Sequence, residues 1–368
     1  MIDTVILELN NNQFNLRNDN EFDGVITQWQ RGFVANTQYC KEYAEKQKKG
    51  ENYFPKISLL RRKSKNVLEI QVSLPKLIYG TNLFEINNRN KNDIYKNILT
   101  ALDKVGVDVS VSDLKEAVVK KVDFSKNIEL PDYFGNVRQV IKKLSCFNYK
   151  PRSNFTLRDY CDGSEGASLK FYNSSQGYAV YDKLSEIVGR GYTKVEKELT
   201  KSIKKQKLKR NIIRFELSLR KKQSLEMVLK RFIKDKQKNF TLDDILNKNL
   251  SRGILLETFD KIYNPVNVAL VTLGEMGENK LDQYLKTKNL TFRKRVLLFY
   301  LVNKCTKIGR AGMLEELKEE LRGGSFNRTK KEILEIIEEL GEIEEPLHNL
   351  IRFLREKHLE FKLFKFPK

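Results

Sequence analysis

Asn211-Ile212-Ile213-Arg214-Phe215-Glu216-Leu217-Ser218-Leu219-Arg220 alternates between apolar and polar residues along most of its length. Successive side chains of a strand point to opposite faces. Ile213, Phe215, Leu217 and Leu219 therefore line one face, and Arg214, Glu216, Ser218 and Arg220 the other. The same period recurs in residues 67–74, where Leu68, Ile70, Val72 and Leu74 oppose Glu69, Gln71 and Ser73. The opening Met1-Ile2-Asp3-Thr4-Val5-Ile6-Leu7-Glu8-Leu9 also reads as a strand, and residues 118–125 look extended. Residues 167–173 and 178–184, joined by Ser174-Ser175-Gln176-Gly177, read as a hairpin. Helical spacing marks residues 92–104 and 136–144. Strands with one apolar and one polar face, interrupted by helices, predict an α+β domain: an antiparallel sheet whose apolar side is covered by helices.

The chain has 368 residues, enough for two domains. A boundary is expected near residue 238, giving a sheet domain over 1–238 and a mainly α-helical domain over 239–368. Basic stretches flank the cleanest strand at residues 201–210 ("KSIKKQKLKR") and 221–238. In the second part, Asn327-Arg328-Thr329-Lys330 before Ile333, Leu334, Ile336 and Ile337 resembles a capped helix. It could belong to a helix-turn-helix, although bundle packing is the simpler reading.

The formal net charge is +21. A surplus of this size attracts polyanions through counterion release, so nucleic acid is the expected partner. An AT-rich genome would also inflate Lys together with Asn and Ile, and charge alone does not separate the two explanations. The start has neither a basic leader nor a cleavage site. The longest apolar runs, such as residues 296–302, fall well short of the roughly 20 needed to cross a bilayer. A protein without membrane association is expected. Cys40, Cys146, Cys161 and Cys305 form no C-x-x-C pair, so reduced cysteines are expected rather than a zinc cluster or disulfides. His348 and His358 are the only histidines, which disfavours chemistry needing a histidine base or a histidine-rich metal site.

No phosphate-binding G-x-x-x-x-G-K-[ST] loop, H-E-x-x-H or G-x-S-x-G occurs. Remaining chemistry rests on carboxylates, tyrosines, lysines and arginines. Glu69, Asp123 and Glu216 point to the polar faces of three separate strands. If those strands are neighbours, the carboxylates converge and could hold Mg²⁺ or Mn²⁺; otherwise they simply solvate the sheet. In "GYAVYDKLSE" (residues 177–186), Tyr181 shares a face with Ala179 and Lys183. A tyrosine hydroxyl, with a pKa of about 10, needs help to act as a nucleophile. A nearby cation or a metal could supply it. Tyr172, across the hairpin, is the rival position.

Taken in order, "MIDTVILEL", "VLEIQVSLPKLIYGTNLFEI", "VVKKVDFSKNI", "LKFYNSSQGYAVYDKLSE" and "IIRFELSLR" resemble the replication initiators of filamentous phages and related plasmids, the gene II/X replication protein family. The resemblance covers roughly residues 1–220, with a looser match in "LKEELRGGSFNRTKKEILEIIEELGEI". The ordered set is more specific than any one of its members. It implies a metal-dependent nickase that cuts one strand of a double-stranded origin through a tyrosine, leaves a 3′-OH and later rejoins the displaced strand, starting rolling-circle replication. The implied nucleophile is Tyr181, with Lys183 as companion. Asp123 and Glu216 take the places of the family's strand carboxylates, and Arg214 lies beside Glu216. Many rolling-circle nickases bind metal through a His-hydrophobe-His motif, which this chain lacks. A carboxylate-bound Mg²⁺ or Mn²⁺ on Asp123, Glu216 and Glu69 is the implied substitute. Lys121 replaces the arginine usual before the strand aspartate and loses its bidentate phosphate contact.

The basic run, including Lys204, Lys205, Lys207, Lys209 and Arg210, is expected to hold the DNA backbone. Origin DNA, the displaced single strand and host replication proteins are the expected partners, in the cytoplasm of a bacterial host. The alternative is a non-enzymatic DNA-binding protein, a repressor or origin binder, in which Tyr181 merely packs.

Overall fold

A computed structural model describes residues 1–17, 22, 24–30, 33–39, 53–62, 65–147, 156–159, 167–190, 193–205, 210–234, 239–321, 324–340, 343 and 346–360. Among them are twelve strands: β1 (Ile2–Asn10), β2 (Asn15–Leu16), β3 (Gly24–Gln30), β4 (Phe33–Tyr39), β5 (Lys56–Arg62), β6 (Lys65–Ser73), β7 (Val107–Asp108), β8 (Val118–Leu130), β9 (Thr156–Asp159), β10 (Ser168–Tyr172), β11 (Gln176–Asp182) and β12 (Asn211–Leu219). Ten form one sheet in the order β3-β4-β5-β6-β1-β8-β12-β11-β10-β9, while β2 and β7 pair separately. Neighbours run antiparallel throughout. An antiparallel sheet with helices, followed by a mainly helical C-terminal region, is the architecture that alternation predicts.

The strand of residues 211–219 lies near the middle of this sheet. Phe215 stands opposite Lys126 of β8 and Val180 of β11, and Glu216 opposite Ser125 and Ala179. Phe215 points into a layer of helices. Its ring meets Phe259 edge-on at 5.8 Å and His358 at 4.7 Å. Phe259 comes from the helix Lys248–Ile262 and His358 from the helix Pro346–Leu359. The same core takes in Phe124, Leu169, Phe171 and Val180 from the sheet, and Val140, Ile141 and Leu144 from the helix Val137–Ser145.

The apolar packing therefore does not part at residue 238. Val119 N–H donates to the Phe240 carbonyl (2.9 Å) and Leu242 N–H to the Ala117 carbonyl (3.0 Å). Residues from Phe240 to Val268, and Leu347 to Leu354, belong to the core of the sheet. The sheet's apolar face is too large for the helices that precede residue 238, so later helices complete its cover. A second core, built from Ala269 to Ile343, packs separately. Within it the helix Gly324–Leu340 begins three residues before Asn327, so Asn327-Arg328-Thr329 is no cap. Ile333, Ile336, Ile337 and Leu340 are buried in the bundle.

Among the described residues, a small apolar cluster covers one end of the sheet's opposite, polar face. Leu184 and Ile187 of the helix Lys183–Arg190 join Leu83 and Ile212 in a small apolar cluster. The chain reaches Leu83 through Gly80, which ends the helix Leu74–Tyr79 at φ +71°. A Cβ there would come within 2.7 Å of Val195, so the loop and the helix Lys194–Lys204 approach as closely as glycine permits. The hairpin turn is Asn173-Ser174-Ser175, shorter than expected and starting one residue earlier, because the Asn173 carboxamide oxygen accepts from the Ser175 and Gln176 amides. No helix among the described residues is long and apolar enough to cross a membrane.

Burial pulls the His358 imidazole down to about pKa 4, against an ordinary 6.5. The unfolded chain therefore takes up this proton first as pH falls, and the stabilisation present above pH 6.5 is lost toward pH 4. In urea unfolding, His358→Leu should remove up to about 1.4 kcal/mol per pH unit from that decline. An unchanged slope would contradict the buried neutral imidazole.

Candidate active site

The polar face of β12 meets two neighbours in register. Tyr181 pairs with Arg214 and Ala179 with Glu216 on the β11 side. Ser125 pairs with Glu216 and Asp123 with Ser218 on the β8 side. Tyr181, Asp123 and Glu216 thereby come together. The Tyr181 hydroxyl donates to Glu216 Oε2 at 2.9 Å. The Arg214 Nε donates to the same oxygen at 3.4 Å.

Arg214 lies on the polar face as expected, yet has no exposed surface. Its face of the sheet is itself buried at this end. The guanidinium is satisfied instead by partners from distant segments. Nη2 donates to Asp3 Oδ2 (2.5 Å), and Nη1 to the Asn82 carbonyl (2.8 Å) and Asn127 Oδ1 (3.3 Å). Asp3 also accepts from Ser73 Oγ (3.0 Å) and Asn82 Nδ2 (3.2 Å). Burial alone would raise the Asp3 pKa, but Arg214 and then Lys183 hold it below the ordinary carboxylate value. Sequence reading missed Asp3. Its signal is an acid inside the otherwise apolar start of β1.

Lys183 is not on the strand face with Tyr181. β11 ends at Asp182, whose carboxylate caps the next helix by accepting from Leu184 N (3.0 Å), Ser185 N (3.1 Å) and Ser185 Oγ (2.8 Å). Lys183, fully buried, donates to Glu186 Oε2 at 2.5 Å. Burial pulls its pKa down, and Arg214 pulls the same way while Glu186 opposes. Lys183 thus bears on Glu186 and Asp3, while Arg214 bears directly on Tyr181 and Glu216.

The remaining carboxylates carry the opposite perturbation. Burial raises the Asp123 pKa even though Lys121 (2.9 Å) and the Ser218 hydroxyl (2.5 Å) support its charge. Burial likewise raises Glu216, with Arg214 opposing and Asp3 and Asp123 adding to the rise. Two acids raised by burial, with Asp3 adding to the rise of both, are what a bound cation would relieve. Ser125 Oγ, buried opposite Glu216, has no partner among the described residues. This donor set fits Mg²⁺, which takes one or two carboxylates and completes its shell with water and phosphate. Among the described residues no three His, Cys, Asp or Glu side chains form a metal-binding group. Glu69 does not join the pair. It pairs with Glu8 on β1, whereas the β6 residue that reaches Asp3 is Ser73, roughly 13 Å further along the strand.

Tyr181, Asp123 and Glu216 line a cavity of about 1190 Å³. Lys121, Lys170, Arg190, Arg210 and Arg220 also line it, giving the wall several cations. Of the expected DNA-contacting run, Arg210 is at the cavity and pairs with Glu129 at 3.3 Å. Lys204 and Lys205 are exposed at the end of the helix Lys194–Lys204, and Lys207 and Lys209 lie outside the described residues. Tyr172 lines the same cavity, with Arg158 over its ring at 5.4 Å. Ser168, four residues before it, pairs with Tyr181, which puts the two tyrosines roughly 13 Å apart along the sheet.

Burial pushes the Tyr181 hydroxyl well above its ordinary value, and Arg214 opposes that rise. At neutral pH it is a phenol whose proton already points at a carboxylate of raised basicity. That arrangement can deliver a phenolate to an electrophile inside the cavity.

Residues 1–239 match a family model for the N-terminal part of a phage replication-associated protein, the gene II protein. No curated protein and no solved structure matches the chain.

Asp3→Ala would leave the buried Arg214 guanidinium without its closer counter-charge, with only Glu216 at 3.4 Å remaining. We expect a loss of about 3–5 kcal/mol in urea unfolding, with Asp3→Asn costing less. A loss under about 1 kcal/mol would mean that Arg214 is held by its other partners.

Proposed function

The chain belongs to the phage replication-associated protein family of the gene II type, and from that premise we propose that it is a replication initiator that nicks and rejoins one DNA strand at an origin, starting rolling-circle replication. The observation that carries the reading is the Tyr181 hydroxyl bonded to Glu216 inside a large cavity lined by cations.

Tyr181 Oη attacks the scissile phosphorus in line with the 3′ oxygen. Its proton passes to Glu216, the new O–P bond forms, and the bond to the 3′ oxygen breaks. That oxygen takes a proton from solvent and becomes the 3′-OH that a host polymerase extends. The phosphate stays on Tyr181 as a 5′-phosphotyrosine, which conserves the bond energy, so the reverse attack by a 3′-OH reseals the strand without ATP. Arg214, buried beside Tyr181, stabilises the developing phenolate and fixes the rotamer of Glu216. Lys183 holds Glu186 and adds positive potential from below. Asp123 and Glu216 would hold Mg²⁺ or Mn²⁺, and such an ion supplies charge neutralisation on the phosphate oxygens.

Lys170, Arg210 and Arg220 would hold the backbone of the DNA strand, and Lys204, Lys205 and the rest of their run its flank. The C-terminal helices would serve origin recognition or contacts with host replication proteins.

Incubation with supercoiled DNA carrying its own origin and Mg²⁺ or Mn²⁺ should yield a nicked circle with protein on the 5′ end. Tyr181→Phe should abolish the adduct and Tyr172→Phe should leave it within a few-fold. The converse result moves the nucleophile to Tyr172, and no adduct from the wild type leaves only a DNA-binding protein. Asp123→Ala and Glu216→Ala should each lower nicking by at least about 100-fold while gel retention of origin DNA persists. Parallel loss of retention would assign them a structural role instead.

A further inference from the structure

A second cavity, of about 370 Å³, lies on the other side of the sheet. Its wall includes Lys126, which pairs across β8 and β12 with Phe215 and so faces away from Tyr181. Lys126 is only 8% exposed. Its ammonium donates to Glu85 Oε2 (3.1 Å) and to the Glu360 carbonyl (3.3 Å), while Glu85 Oε1 accepts the Asn127 amide at 2.9 Å.

The first turn of the helix Lys248–Ile262 forms another side. Lys248 N–H donates to Asn88 Oδ1 at 3.0 Å, and Arg252, one turn on, donates through Nη1 to the Leu359 carbonyl at 3.2 Å. Both side chains line the cavity with Arg89. Four cations, Arg89, Lys126, Lys248 and Arg252, thus face two acids, Glu85 and Glu360. The excess is positive, and it sits at a helix N-terminus, whose dipole favours an anion; the Lys248 and Asn249 amides there are already bonded to Asn88 and Asn247, so the side-chain cations make the contacts.

A second, independent feature points to a ligand. His358 lines the cavity and is 3% exposed. Its Nδ1 lies 2.7 Å from the Leu354 carbonyl, which can only accept, so Nδ1 carries the proton and Nε2 is an acceptor. Nε2 is buried without a partner among the described residues. A buried acceptor left open costs free energy that an N–H donor would recover.

We propose that this cavity binds a nucleoside phosphate. The phosphate sits against Arg89, Lys248 and Arg252 at the helix start, and an N–H group of the base donates to His358 Nε2. The volume lies in the range of small-molecule and nucleotide pockets. Either a mononucleotide or one nucleotide of a DNA strand supplies this chemistry. The assignment does not depend on Tyr181 being a nucleophile, because the two sites lie on opposite faces of the sheet.

Calorimetric titration of the full chain with dAMP, inorganic phosphate and a short oligodeoxyadenylate tests it. We expect saturable binding of dAMP at one site on the wild type, with inorganic phosphate at least tenfold weaker. Arg252→Gln, a change at a partly exposed residue, should weaken dAMP at least tenfold. His358→Phe should bring dAMP down to the level of inorganic phosphate without altering phosphate itself. Lys286→Gln, at an exposed residue that lines neither cavity, should change none of these. Displacement of dAMP by the oligonucleotide identifies a strand as the source, and its failure to displace identifies the mononucleotide. No saturable dAMP binding, equal affinity for dAMP and phosphate, or an Arg252→Gln variant that binds like wild type would overturn the assignment.

Discussion

A guanidinium taken wholly out of water costs several kcal/mol unless its donors and its charge are met. Arg214 meets that condition only when four separate parts of the chain are in place: Asp3 from β1, Asn82 from the loop after Gly80, Asn127 from β8 and Glu216 from its own strand. The requirement is mutual. Asp3 is a buried carboxylate with Ser73 and Asn82 as its other partners, and without Arg214 it would be stranded as well. This ion pair therefore ties β1 and β12 to the loop that covers them, beside Tyr181.

The two faces of β12 divide the labour. Phe215 and its apolar companions carry the helices that follow residue 238, through contacts with Phe259 and His358. Arg214, Glu216 and Ser218 build the polar side. Ser218 and Lys121 steady Asp123, Arg214 steadies Glu216, and Glu216 holds the Tyr181 proton. A phenol of raised pKa is thus placed beside a carboxylate whose own pKa burial has raised, which narrows the gap a proton between them would cross.

Much of this was legible in the sequence because alternation is a local property. The strand of residues 211–219, the hairpin and the polar-face positions of Glu216 and Asp123 follow from period-2 spacing, whereas Tyr181 is placed with them only by the family resemblance. Sheet order is not local. Glu69 has the same strand context as Asp123, and only the pairing of β6 with β1 separates it from the site. Asp3 and Arg214 are 211 residues apart in sequence, beyond the reach of any spacing argument. Lys183 was misplaced for a different reason. Asp182 followed three residues later by Ser185 is a helix-start signal, and it outweighs the continuation of a strand pattern. The boundary at residue 238 follows composition, but the apolar face of the sheet needed more cover than the preceding helices provide.

The central claim is that Tyr181 forms the covalent bond to DNA. Its most direct test is protease digestion of the protein–DNA adduct formed on a labelled origin strand, with mass spectrometry of the modified peptide. The account predicts a nucleotide-sized mass on a peptide containing residues 177–186, assigned by fragmentation to Tyr181. The same mass on Tyr172, or an adduct peptide carrying neither residue, would contradict it.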